Sequence, residues 1–222
     1  MDIEELLTAN RSARKSLDLE APVDLADIRE CLRIGLQAAN GSNQQSWRWM
    51  LIADPALRDK IAALYRDAYL RRVGGQMLAH LMPPDTPEAR LMSSTEWLVE
   101  HMAKVPLLVI PCYEPYLPRI DGDESFYQAT LYGSIFPAVW NFALALRTRG
   151  YGTCVTTLHL HHEAAVGEPL GIPHTWVQGC LLPVGRLRTP RRIGPANRRS
   201  VDEVVAIDGW DGPPDWASPN RR

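Results

Sequence analysis

Cysteine is scarce in this chain, and so are the short motifs that usually announce a chemistry. Among 222 residues there are four cysteines, Cys31, Cys112, Cys154 and Cys180, far apart and without a C-x-x-C pair. That spacing argues against a metal or redox centre and reads as small, reduced core residues. Charge of one sign is also missing: 24 basic side chains face 26 acidic ones, a net charge of -2. No general electrostatic case for nucleic acid or a membrane as partner follows. No apolar run reaches the roughly 18–20 residues needed to cross a bilayer. The opening MDIEELLTAN carries acid where a signal peptide carries base, so a cytoplasmic protein is expected. G-x-x-x-x-G-K-[ST], G-x-G-x-x-G and G-x-S-x-G are all absent, which removes the P-loop, Rossmann and α/β-hydrolase readings.

What is present is an ordinary globular composition, 45% hydrophobic and 23% charged. A chain of this length can bury a full core as one domain without disulfide or metal. That domain is expected over 1–210, with 211–222, rich in Gly, Pro and Asp, as a flexible tail. Apolar spacing predicts helices over 2–9, from Asp24 as N-cap to Leu36, over 56–70 and over 95–104. Strands are predicted at 47–53, 106–111, 153–160 and 177–184. Residues 71–93, broken by Gly74-Gly75 and Pro83-Pro84 and dotted with Met77, Met82 and Met92, read as an excursion or lid. The strongest helix is 126–149, apolar over most of its circumference, as a helix in a core or a subunit interface is. Pro137 should start or kink it.

Two polar clusters stand out. Arg11-Ser12-Ala13-Arg14 places two guanidiniums and a hydroxyl in one turn, a compact anion site, because the arginine fork matches phosphate oxygens in paired hydrogen bonds. Asn40-Gly41-Ser42-Asn43-Gln44-Gln45-Ser46-Trp47 is a dense run of short amides and hydroxyls between a helix and a strand, suited to the polar edge of a heterocycle. Taken singly, each also fits an ordinary solvated turn or loop. His159, His161 and His162 invite a metal reading, since on a strand His159 and His161 would share a face. No third ligand is anchored by spacing, so a polar cluster at a strand end is favoured and no metal is expected.

In this order and spacing the two clusters resemble the nitroreductase family of FMN-dependent enzymes. The resemblance rests on Arg11, Ser12 and Arg14, followed by Ser42, Asn43, Gln45 and Trp47. It extends through Phe136-Pro137-Ala138-Val139-Trp140-Asn141, Arg149-Gly150-Tyr151-Gly152, Leu170-Gly171-Ile172-Pro173 and the basic pair Arg198-Arg199, over about residues 3–210. It implies an α+β fold: a three-layer α-β-α sandwich with a mixed central sheet and a long central helix at a dimer interface. It implies bound FMN, NAD(P)H as electron donor, and a homodimer with shared active sites. By the same resemblance Arg11, Ser12, Ala13 and Arg14 hold the FMN phosphate, ribityl chain and pyrimidine edge, and Arg198 and Arg199 complete the phosphate site. Asn40, Gly41, Ser42, Asn43 and Gln45 would reach the flavin from the second subunit. Val155, Thr156, Thr157 and Leu158 would offer backbone groups to the ring, with Thr157 near N5. Phe126, Tyr127 and Tyr132 are candidate walls of the acceptor pocket. No catalytic side chain is implied, because the cofactor carries the chemistry and the protein supplies orientation and charge. The acceptor expected is a nitroaromatic, a quinone or a similar electron-poor ring. The alternatives are a flavin- or haloaromatic-directed enzyme and a non-enzymatic FMN-binding protein. Asn10 stands where many members carry a further arginine.

Overall fold

The structure is a computed structural model and describes residues 2–188, 195–212 and 216. Helices α1 (Ile3–Ala9) and α2 (Leu25–Gly35) precede strand β1 (Trp47–Ile52). Helices α3 (Pro55–Arg72) and α4 (Pro87–His101) lead to β2 (Leu107–Tyr113). Then come α5 (Glu124–Thr148), β3 (Tyr151–Gly152), α6 (Glu163–Gly167), β4 (Val177–Gln178) and β5 (Leu182–Arg186). The helix starts follow from local chemistry. Asp2, Asp24, Asp54 and Thr86 each accept a first-turn N–H, at 2.7, 2.8, 2.9 and 3.1 Å. Such caps are worth about 1 kcal/mol each.

Every residue of β2 is buried. Because side chains alternate across a strand, its two rows feed two cores. Leu108, Ile110 and Cys112 pack with Ile61, Tyr65 and Tyr69 of α3 and Leu98 of α4. Leu107, Val109 and Tyr113 pack with Ile28 and Cys31 of α2 and Ile135 and Phe142 of α5. The result is the expected α-β-α sandwich of α+β class. Gly35 lets α2 approach α5 closely, since a Cβ there would stand 3.1 Å from both the Ala138 oxygen and Phe142 Cβ. The ion pairs Arg29–Glu30, Arg33–Glu30, Arg71–Asp67 and Arg199–Glu203 all lie on exposed side chains. Exposed pairs contribute about 0–1 kcal/mol each, against about 2–5 kcal/mol for truncating one buried leucine to alanine, so the two apolar cores decide stability.

The sheet runs β1-β2-β5-β3, with β4 beside the far end of β2. A mixed sheet was expected; every strand pairing among the described residues is antiparallel. The segment 177–184 is two strands. Between them Leu181 leaves β2 and exchanges both backbone hydrogen bonds with Thr156, at 2.8 and 3.0 Å. The stretch 153–160 is not a strand. The Thr153 carbonyl accepts from Ala13 N–H at 2.9 Å, Thr156 makes a single bridge to Leu181, and Leu158–His162 is a 3-10 helix. The Arg11 turn thus occupies the place a ladder strand would need. Helix α4 begins eight residues before the expected start, where Thr86 caps it and Pro87 supplies its first turn, so the irregular excursion narrows to 73–86. Pro137 does not start α5, which runs on through it. Its missing N–H leaves the Gly133 carbonyl on an exposed side of the helix, where water can serve it. Helix α5 is long and apolar enough by composition to cross a membrane, yet half of that apolar window is buried in the core. All four cysteines are buried and free.

The approach of the 11–17 strap to the β3 edge is tight. A Cβ on Gly152 would meet Leu187 Cδ2 at 2.6 Å, Ala13 Cβ at 2.7 Å and Leu17 Cδ2 at 3.2 Å. Gly152→Ala is expected to destabilise the protein by about 1–3 kcal/mol, the usual cost of overpacking, read as a lower urea midpoint at unchanged slope.

Candidate functional site

The first cluster is assembled at the β3 edge. Ala13, buried, is stitched to Thr153 through its N–H, while Arg11 and Ser12 remain exposed. Arg14 is half-buried with its guanidinium near the Cys154 thiol, whose pKa burial pushes up to about 11. Lys15 Nζ donates to Ser93 Oγ of α4 at 2.7 Å, and Arg188 Nε holds the Leu17 carbonyl at 3.1 Å. Among the described residues neither Arg11 nor Arg14 has a carboxylate partner. Two cations without counter-charge in one turn leave their donors available to a bound anion.

The adjoining segment 155–158 alternates. Thr156 turns inward, with its N–H and carbonyl on Leu181 and its hydroxyl 2.8 Å from Tyr65 Oη. Val155 and Thr157 are exposed, and among the described residues their N–H groups have no protein acceptor. Leu158 is half-buried and opens the 3-10 helix. That helix separates His159 from His161: His159 is fully buried and, among the described residues, neither of its nitrogens has a hydrogen-bond partner, while His161 is exposed. The shared face of the metal reading therefore does not form. Desolvation lowers the His159 pKa to about 4. His162 Nε2 lies 2.7 Å from Asp67 Oδ2 and ties the segment to α3.

The second cluster lies on the other side of the sheet, against α5. Gly41 N–H donates to Ser134 Oγ at 2.9 Å, and Ser134 Oγ donates to the Thr130 carbonyl at 2.8 Å. Asn40 Oδ1 accepts from Gln45 N–H at 3.0 Å, closing the loop. Ser42, Asn43 and Gln45 have φ of 50°, 52° and 51°. Asn tolerates this left-handed region; for Ser42 and Gln45 it costs about 1–3 kcal/mol each and characterises loops held for a purpose. All three side chains are exposed. Among the described residues no hydrogen bond or ion pair joins this loop to Arg11 or to Thr157. The remaining predicted residues are also apart from the turn. Arg199 is engaged by Glu203 at 3.2 Å, Arg198 bonds the Asn197 carbonyl, and no described contact carries either to Arg11 or Arg14. Phe126 and Tyr132 stand exposed on α5, and Tyr127 lies under the Arg119 guanidinium at 5.2 Å. Of the predicted tail, Trp216 Nε1 donates to Asp202 at 2.8 Å; 213–215 and 217–222 lie outside the described residues. A groove of about 380 Å³ opens at the start of β2 beside Val23, Arg58 and Lys104, and none of the predicted site residues lines it.

Four residues of this arrangement are not among the candidate site residues expected above: Tyr65, Glu96, Ser134 and Cys154, the last expected only as a core cysteine. Ser134 carries a signal, a hydroxyl among the core-facing positions Leu131, Ile135 and Ala138 of a helix. Glu96 carries another, an acid on an otherwise buried helix face with Leu98 and Val99. Its carboxylate, 7% exposed, accepts from the Tyr69 hydroxyl at 2.7 Å, from Leu78 N–H, and from Ala79 N–H at 3.1 Å. It therefore pins the 73–86 excursion to α4.

Comparison with known proteins fits this architecture. The nitroreductase family model matches residues 7–186. The chain belongs to the nitroreductase family. Iodotyrosine deiodinase 1 of Homo sapiens is 23% identical over 205 residues, 90% of this chain; the chain spans 66% of that protein's length. The structure of oxidized iodotyrosine deiodinase bound to FMN and 3-iodo-L-tyrosine superposes with a TM-score of 0.67 at 19% identity, covering 90% of this chain and 97% of that one. An FMN- and NADPH-dependent nitroreductase from a Sphigopyxis species gives a TM-score of 0.67 at 16% identity, over 95% and 100% of the two chains. At these identities the likeness establishes the shared fold.

The Glu96 tether sets a pH dependence. Desolvation pushes its carboxyl up, but the hydrogen bonds from Leu78, Tyr69 and Ala79, with His80 nearby, outweigh it and hold the pKa below the ordinary value. The tether is then fully present above the unfolded glutamate pKa of about 4.3 and is lost as pH falls through the lower folded value. Glu96→Gln is expected to cost about 1.5–3 kcal/mol at neutral pH and to speed proteolysis within 73–86. The difference from wild type should shrink as pH drops below about 4.3, measured by urea unfolding at stepped pH.

Proposed function

We propose that the protein is an FMN-dependent oxidoreductase that takes electrons from NADH or NADPH and delivers them to a small electron-poor aromatic or quinone. The observation that carries the reading is the stitched pair of segments at the β3 edge. Arg11 and Arg14 have no carboxylate partner, and beside them Val155 and Thr157 hold outward N–H donors. Those donors suit a phosphate at one end and a heteroaromatic edge at the other. When bound, FMN supplies the two-electron chemistry that no side chain here supplies. Arg11 and Ser12 hold the phosphate and ribityl end. Arg14 and the N–H groups of Val155 and Thr157 orient the ring and favour the negative charge it gains on reduction.

The 40–45 loop belongs to the same reading through a second copy of the chain. It is strained, polar and outward-facing, yet it lies across the sheet from Arg11. A two-fold partner can present it to the flavin held by the first copy, each subunit completing the other's site. Phe126, Tyr132 and Trp140 leave large exposed apolar surface along α5, 63%, 43% and 46% exposed, which such a partner would cover. Phe126, Tyr127 and Tyr132 would then wall the acceptor side of the shared site. The similarity to iodotyrosine deiodinases favours a second acceptor class, halogenated aromatics, at the same site.

Purified protein is expected to be yellow or to take up FMN, to bleach with NADH or NADPH without air, and to recover colour on adding a nitroaromatic or quinone. Bound flavin that no nicotinamide reduces would make the protein an FMN binder without this activity. Halide release from an iodinated phenol under the same conditions would assign the second acceptor class. Arg11→Ala should weaken FMN binding by about 1.5–3 kcal/mol, the worth of a charged hydrogen bond; unchanged affinity removes Arg11 from the site. Sedimentation should give a dimer, and a flavin-loaded monomer would refute the shared site.

A further inference from the structure

We propose that Tyr65 is a positioning residue for the flavin edge of this site, acting through Thr156; the proposal rests on the FMN reading above. Tyr65 sits in the interior of α3, 1% exposed, packed in the core between that helix and β2. Its hydroxyl is 2.8 Å from Thr156 Oγ1. Thr156 is thus attached at three points: N–H to the Leu181 carbonyl at 3.0 Å, carbonyl to the Leu181 N–H at 2.8 Å, and side chain to Tyr65.

The three attachments have different directions. In extended chain the N–H and carbonyl of one residue point to one side, and those of its neighbours point to the other. The exchange with Leu181 therefore aims the Val155 and Thr157 N–H groups away from the sheet. Those two bonds alone do not fix the roll of Thr156 about their line, because 153–160 is a lone bridge and not a ladder; the next anchors are Ala13 on Thr153 and Asp67 on His162. The Tyr65 hydroxyl lies off that line, on the α3 side, and fixes the roll at Thr156 itself. A rigid 18-residue helix thereby sets the angle at which two unpaired donors face a ligand. Burial pushes the Tyr65 pKa up to about 12, so the phenol stays protonated and the bond persists across working pH. Preorganised donors matter most where charge develops, so the roll angle should weigh more on reduced than on oxidised flavin.

The test is Tyr65→Phe, which keeps the ring that fills the core and removes only the hydroxyl. FMN affinity is expected to fall between about twofold and about tenfold, the span of one neutral hydrogen bond. The loss should be about fivefold greater for reduced FMN, which lowers the two-electron midpoint potential by about 20 mV. Thr156→Val should give the same shift and Thr156→Ser should restore the wild-type potential. The double variant Tyr65→Phe/Thr156→Val should show no further shift, because both changes delete one bond. A lower Tm with unchanged affinity and potential would overturn the proposal and leave the hydroxyl a purely structural group. Additive shifts in the double variant would overturn it as well. Wild-type protein that binds no FMN would overturn the FMN reading together with this one; wild-type protein that binds FMN, matched in affinity and potential by Tyr65→Phe, overturns the role of Tyr65 alone.

Discussion

Burial of β2 on both faces is the constraint from which the rest of the structure follows. Seven consecutive residues with no exposed side must be covered twice, so α3 and α4 lie on one face and α2 and α5 on the other. The sheet can then grow only at its edges. At one edge it ends in the two-residue strand β3, and there the Arg11 turn docks through Ala13 and Thr153. The other polar cluster, fixed to Ser134 of α5, is left on the opposite side. Among the described residues no hydrogen bond or ion pair joins the two clusters within one chain.

Charge and strain are distributed unevenly over this frame. Most exposed ion pairs link near neighbours on one helix or turn, where they contribute little. Arg11 and Arg14 are placed differently, close together and, among the described residues, without a carboxylate partner. The left-handed Ser42 and Gln45 are similarly costly and are kept in an exposed loop where no packing demands them. Both features cost the free chain stability. Beneath them lie fixed supports: Tyr65 under Thr156, Ser134 under Gly41, Glu96 under the 73–86 excursion. Each is a polar group in an apolar core with its partners in place, an arrangement that specifies one geometry because any other leaves a buried group unpaired.

Much of this was legible in the order of residues. The apolar run at 106–111, the capping residues Asp24 and Asp54 and the long apolar helix depend on local periodicity and short-range hydrogen bonds, which a sequence carries directly. The two polar clusters were legible as composition, and their spacing carried the family. Legibility failed where a distant segment took over a backbone group. Residues 153–160 have the β-branched content of a strand, yet Ala13 and Leu181, from two remote parts of the chain, take the bonds a ladder would use. Likewise 177–184 reads as one strand and breaks where Leu181 turns to Thr156. The start of α4 was hidden because Pro83-Pro84 and the methionines mask a helix that Thr86 caps.

The sequence by itself determined the layers, the location of the arginine-bearing turn and the family, because each depends on which residue types recur at which short spacing. Only the tertiary structure decided which of the polar residues meet. It brought Arg14 to Cys154 and Thr156 to Tyr65, set the 40–45 loop across the sheet from them, and turned His159 into the core away from His161. Those outcomes rest on contacts between residues far apart in the chain, whose partners are chosen by packing and by the need of every buried polar group for a hydrogen bond.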